Sequence, residues 1–190
     1  MKNILFLVLL LSVSSFAQKI ESSGDVLING KKITKQTVIS IGDFIETKKD
    51  AKIKFNIGKD AFFAKEKSKF KFTQSKGTKT LDIVKGSVLS VFQKGEGKHE
   101  VKTANMTAGI RGTAVYLEIR DNKEYFCTCY GETHVTSSHD EHSLKAHHHN
   151  MVWIKDGKIN PTMDKVGHTD DDLRELEAFV GRVPEFDKAN

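Results

Sequence analysis

Polar and apolar residues alternate strictly from Ala51 to Ile57, and Lys69 to Thr73 does the same with Phe70 and Phe72 on one face. A period of two is that of a strand with one buried side. Shorter runs with strand composition are Asp25 to Ile28, Thr37 to Ile39, Phe44 to Thr47, Ala61 to Ala64, Leu81 to Val84, Val88 to Gln93 and His99 to Thr103. Asn29-Gly30, Gly58 to Asp60 and Gly95-Glu96-Gly97 supply hairpin and loop chemistry between them. The strongest pattern comes later. Val115, Leu117 and Ile119 alternate with Ala114, Tyr116 and Glu118, Arg120 to Lys123 makes a polar turn, and Glu124 to Tyr130 returns as the second arm of a hairpin. On that arm Tyr125, Cys127 and Cys129 should face one way, and Phe126, Thr128 and Tyr130 the other. The pattern predicts a mainly β chain of stacked short antiparallel strands, as a sandwich, a jelly roll or a β-solenoid-like domain.

One stretch changes period. Thr169 is a good N-cap with Asp172 three residues on, Leu173, Leu176, Phe179 and Val180 make an apolar stripe, and Gly181 suits the position after the last turn. The spacing predicts a single C-terminal helix over about 169–181, with its stripe against the β domain. At the other end Lys2 precedes an apolar run, Ile4 to Val13, and small residues lead to Ala17. That is the layout of a secretory signal peptide, 1–17, cleaved before Gln18. No cysteine at the cleavage point suggests a lipid anchor, and no later run is apolar for long enough to span a bilayer. The expected organisation is a β domain over 18–145 and a histidine-containing extension over 146–190. The expected location is the periplasm or the exterior.

The formal net charge is +5, with lysines concentrated in the first half and Asp170-Asp171-Asp172 near the end. A basic half could bind an anionic polymer or a membrane surface. Lys52 and Lys54 alternate with Ile53 and Phe55, however, so solvated strand faces account for most of this charge. Lysines of that kind also protect exposed sheet edges. An exported chain without a basic-aromatic motif is not expected to bind nucleic acid.

The run VKTANMTAGIRGTAVYLEI, Val101 to Ile119, resembles the closing segment of FecR-like domains, with Gly109, Arg111, Gly112 and Thr113 carrying its most specific part. The segment from Ile39 to Phe72 resembles the opening of that domain, and LDIVKGSVLSVF its middle hairpin. The resemblance covers about Gly24 to Tyr130. It implies an all-β domain outside the cytoplasm, usually without catalysis, binding an envelope protein or polymer ligand. FecR-type regulators also carry a cytoplasmic segment and a membrane helix, which these residues do not offer, so the sigma-regulator role is not implied. Arg111 reads either as a scaffold residue for binding or as a structural arginine that satisfies carbonyls at the glycine turn.

The chemistry lies in Cys127, Cys129 and the histidines, seven of whose eight members come after residue 130. Two thiols at i and i+2 on a strand share a face and can bind one metal. Two imidazoles would complete a tetrahedral Zn²⁺ site, while Cu(I) or an iron–sulfur cluster are alternatives. His147 and His149 share a face if their segment is extended, with His148 as the substitute. Three other readings stay open: a labile redox disulfide, two small buried thiols, and a histidine run that is only a solvated loop. No Ser-His-Asp set, phosphate-binding glycine loop or His-Glu-x-x-His helix is present. The chain is therefore expected to be a non-catalytic binding domain, with thiol or metal redox chemistry as the alternative.

Overall fold

The computed structural model describes residues 18–188, so the signal peptide expected over 1–17 lies outside the described residues. Fourteen strands succeed one another: β1 Ile20–Ser23, β2 Val26–Ile28, β3 Lys31–Lys32, β4 Phe44–Thr47, β5 Lys52–Ile57, β6 Asp60–Ala64, β7 Lys69–Ser75 and β8 Thr78–Val91. They continue with β9 Lys98–Lys102, β10 Met106–Arg120, β11 Lys123–Ser137, β12 Glu141–Ala146, β13 Asn150–Lys155 and β14 Lys158–Thr162. A single α-helix, α1 Asp170–Phe179, comes after them, and a short 3₁₀ turn, Glu185–Asp187, closes the described chain. The mainly β architecture with one C-terminal helix is as the alternation predicts.

All the strands join one open, folded sheet. Its main path runs β14-β13-β11-β10-β9-β8-β7-β4-β2-β3, with β12 on β11 and the ribbon β1-β5-β6 attached through β8. The pairings are antiparallel except for β8 with β9. Three long strands hold it together, because their two halves serve different neighbours. The first half of β8 pairs β7, and its second half pairs β6 and β10. The first half of β10 pairs β9, and β11 gives its start to β13 and its end to β12.

The folded sheet encloses a large core of Phe55, Phe62, Phe70, Phe72, Leu81, Leu117, Phe126 and their neighbours. Within it, Phe55 and Phe62 stack at 5.3 Å and Phe62 meets Phe72 edge-on at 4.7 Å, geometries that aromatic quadrupoles favour. A second core lies on the other side of the same strands. There Phe63, Leu89, Tyr116, Tyr125, Cys127 and Cys129 pack with Leu173, Leu176 and Phe179 of α1. The apolar stripe of the helix thus faces the sheet, as expected. Thr169 closes a capping box with Asp172, each side chain bonded to the other's backbone N–H.

Three local expectations are corrected. Thr37 to Ile39 is not a strand: Ile39 is buried, and its backbone is satisfied by the Gln18 side chain rather than by a neighbouring strand. LDIVKGSVLSVF is not a hairpin but the body of β8, which continues through Gly86 as it passes over Ser68. A Cβ on Gly86 would lie 2.5 Å from the Ser68 Cα, so the close crossing excludes any side chain. Finally, Tyr130 does not share the face of Phe126; it belongs to the second core. Beyond the reach of the sequence pattern, β12, β13 and β14 carry the sheet on through residue 162.

Candidate metal centre

The β10–β11 hairpin reverses at Asp121, and its register then runs without a break from Arg120↔Lys123 to Val115↔Thr128. The next pair is Ala114↔Tyr130, so Cys129 is one residue too many on β11. Such a bulge flips the parity of the residues beyond it, while Cys129 keeps the face of Cys127 that alternation gives it. That explains Tyr130. Cys127 and Cys129 share one face, both fully buried and both free thiols.

Two histidines meet these thiols from different directions. His149 ends the turn between β12 and β13 with φ +55°, and its amide N–H donates to the Cys129 carbonyl at 2.8 Å. Its Nδ1 stands 3.3 Å from the Cys127 Sγ. His168 arrives from the segment before α1, with Nε2 3.4 Å from the Cys129 Sγ and its ring stacked on Tyr116 at 4.5 Å. Gly167 makes this approach feasible. It sits at φ +75°, and a Cβ there would fall 2.1 Å from the Tyr116 hydroxyl.

The donor atoms of Cys127, Cys129, His149 and His168 all lie within 4.8 Å of one another. A tetrahedral zinc site with Zn–S about 2.3 Å and Zn–N about 2.0–2.1 Å has S···N edges of about 3.6 Å. The two S···N separations are close to that value. The ring nitrogens that face away from the sulfurs are both tied to acceptors. His168 Nδ1 donates to the Val166 carbonyl at 2.9 Å, and His149 Nε2 donates to Asp170 at 2.9 Å. Anchoring of that kind fixes the ring and leaves the inward nitrogen to serve as a ligand.

The charges agree with the geometry. Burial alone would raise the Cys127 thiol, but hydrogen bonds from Cys129 and His149 outweigh it and hold the pKa well below the ordinary thiol value. Burial pushes Cys129 well up, and the hydrogen bond and charge of Cys127 add to that. For His149, burial works against the proton, yet the contacts to Cys127 and Asp170 raise its pKa. The two shifts favour the same arrangement, the charged sulfur on Cys127 and the proton on His149. Asp170 is held below the usual carboxylate range: burial raises it, and Lys165 and His149 more than compensate. His148, His149 and Asp170 also cluster. Asp170 there already accepts from Lys165 at 2.9 Å as well as from both imidazoles, so it acts as an anchor for His149 rather than as a vacant ligand.

Of the residues singled out in the sequence, Cys127, Cys129 and His149 come together. His148 lies outside the four, 3.1 Å from Asp170 with its ring 4.5 Å from Phe186, and His147 is exposed on the turn. The expectation that His147 and His149 share a face fails because the segment is a turn, not a strand. His168 is the residue that sequence reasoning missed. The signal was its place one residue before an N-cap, on a helix whose stripe had to pack against the cysteine strand. Arg111 is exposed and makes no hydrogen bond or ion pair among the described residues, so it is not a support for turn carbonyls. Gly109, Gly112 and Thr113 lie around it on β10, and the buried Thr113 hydroxyl has no partner among the described residues.

No protein-family model matches the chain, and no curated protein matches it. Among solved structures it is similar to a "putative anti-sigma factor" from Parabacteroides distasonis ATCC 8503, at TM-score 0.56 and 11% identity over 70% of this chain and 64% of that one. A second crystal structure of such a protein from the same organism aligns at TM-score 0.42 and 11% identity over 80% of this chain and 65% of that one. The chain thus spans less than two thirds of the length of the proteins it matches. The first likeness is one of fold: the described residues share a β architecture with a protein of the anti-sigma-factor kind.

Proposed function

We propose that this chain is an exported, non-catalytic envelope domain of a regulatory or signalling kind, in which Cys127, Cys129, His149 and His168 bind one transition-metal ion. One observation carries the metal reading. Four donors, three on buried residues and one on the half-buried His149, converge within 4.8 Å while the outer nitrogens of both imidazoles are held by acceptors. Two thiolates with two imidazoles suit Zn²⁺, and a set of four protein ligands without an open position is the structural rather than the catalytic kind of site. The FecR-like motifs around Arg111, the apolar run at Ile4 to Val13 and the fold shared with an anti-sigma-factor-like protein support the envelope assignment.

The test is elemental analysis of protein purified without a histidine tag. About one equivalent of zinc is expected, retained by H147A and lost from the C127S/C129S double variant and from H168A. A full complement of metal in H168A would sink this assignment.

A second reading rests on the depressed pKa of Cys127 beside a second thiol: a thiol-redox protein. It predicts no bound metal and rapid reaction of one cysteine with a thiol reagent in the folded protein. The complete burial of both sulfurs favours the metal.

A further inference from the structure

A second slip in the β10–β11 register sets Gly112 and Thr113 of β10 against Gly131 alone, a bulge on β10, and beside it an open cleft of about 620 Å³ lies between the 93–97 loop, β9, β10 and the β11–β12 ribbon. Its size falls within the usual range for small-molecule sites, about 300–1,000 Å³. None of its lining residues is a donor of the metal centre. Three cations reach it: Lys94 and Lys98 from the loop and the start of β9, and Arg111 from β10. None of the three makes an ion pair among the described residues, whereas the loop's own Glu96 is taken by Lys59 at 3.1 Å. The bulge fixes where Arg111 stands. Gly112 is at φ +57°, packed so closely under Lys94 that a Cβ would fall 2.8 Å from that side chain.

The walls decide the kind of ligand. No aromatic ring other than those of His99 and His134 lines the cleft, so it has no platform for a nucleobase or for the face of a neutral sugar. Gly95 and Gly97, both with positive φ, line it as well, and no hydrogen bond among the described residues uses their amide N–H groups. The Glu96 N–H between them is taken by the Gln93 carbonyl, so the two glycine amides are separate free donors beside the cations. Glu100 and Glu132 also line the cleft and can accept hydrogen bonds from hydroxyl groups.

We propose that this cleft binds a tetrahedral oxyanion carried by a small hydroxylated ligand, a phosphorylated or sulfated sugar, with Arg111 and Lys98 holding the anion. Arg111 offers the planar fork that pairs two oxygens at once, and Lys98 contributes a point charge.

The experiment is calorimetric titration of the full chain with inorganic phosphate, with glucose 6-phosphate and with glucose, at low and high salt. Glucose 6-phosphate should bind, more weakly as salt rises, and glucose should not. R111Q should weaken it roughly tenfold or more, the loss expected for a charge-assisted pair, and K98Q should act in the same direction from a different strand. Both side chains are exposed, so melting curves should show both variants folded. Equal affinity for inorganic phosphate keeps the oxyanion site and assigns it to the free ion. The proposal is overturned by binding of neither phosphate probe, by glucose binding as well as its phosphate, or by affinity unchanged in both R111Q and K98Q.

Discussion

Asp170 touches neither sulfur, yet it sets the state of the centre by holding His149 Nε2. Outer partners of ligating histidines typically matter by about 10–100-fold in metal affinity. D170N is expected to weaken zinc binding by that order, while H148A, which removes only a second contact to the same carboxylate, should change it far less; competition with a chromophoric chelator measures both. The thiols themselves should be unequal without metal. Cys127 is pulled below and Cys129 pushed above the ordinary value, so in the metal-free protein the ultraviolet absorbance of one thiolate should appear at lower pH than for an ordinary thiol, lost in C127S and kept in C129S. The stabilising contribution of the Cys127–His149 pair has two limits. The Cys127 part is lost as pH falls through its lowered folded pKa, and the His149 part as pH rises through its raised one. Gly167 is a third control point. G167A puts a side chain both in a disfavoured backbone region and against Tyr116, and it should cost about 1–3 kcal/mol of stability by urea denaturation together with a measurable loss of metal affinity.

At the scale of elements, α1 is held from two ends. Leu173, Leu176 and Phe179 bury its stripe on β6 and β8, and its N-terminus comes directly after the ligand His168. T169A should remove about 1 kcal/mol through the lost cap, and L176A about 2–5 kcal/mol through the cavity it leaves. Chelation should loosen the same segment, so trypsin is expected to cut at Lys165 or Arg174 sooner in the metal-free protein. The helix was legible in the sequence because cap, stripe and glycine stop all agree. The hairpin from Met106 to Ser137 was legible too, but only as far as strict alternation holds. The bulge at Cys129 is a register event set by the partner strand, and no count along one strand reveals it. β12 and β14 escaped notice because polar residues mask their period, Leu144 being the one buried residue of β12, and β13 because Met151 to Ile154 is a short apolar run without alternation. Three metal donors could be named from Cys-x-Cys and the histidine run. The fourth depends on where the last segment returns across Tyr116, a fact of tertiary packing.

For the whole molecule, the two proposed sites sit on opposite consequences of one hairpin. The irregular pairing between Arg111 and Val115 on β10 brings Tyr130 into the second core beside the cysteines, and Arg111 at its edge lines the open cleft. Both sulfurs of the proposed metal centre are buried, so its expected effect is on stability. Zinc in excess should raise the melting temperature, and a chelator should lower it, without altering phosphate binding in the cleft. The cleft is open, so its expected effect is on affinity and salt dependence alone.

His168 comes 39 residues after Cys129, and the three other donors precede it in the chain. A polypeptide still emerging, or one cut short before Gly167, presents only three donors and leaves the fourth corner of the tetrahedron open. With the proposed set of four donors, tight retention of the ion would report that synthesis has passed this point and that the helical segment has docked. In a preparation of mixed lengths, zinc content would count the molecules that reach it.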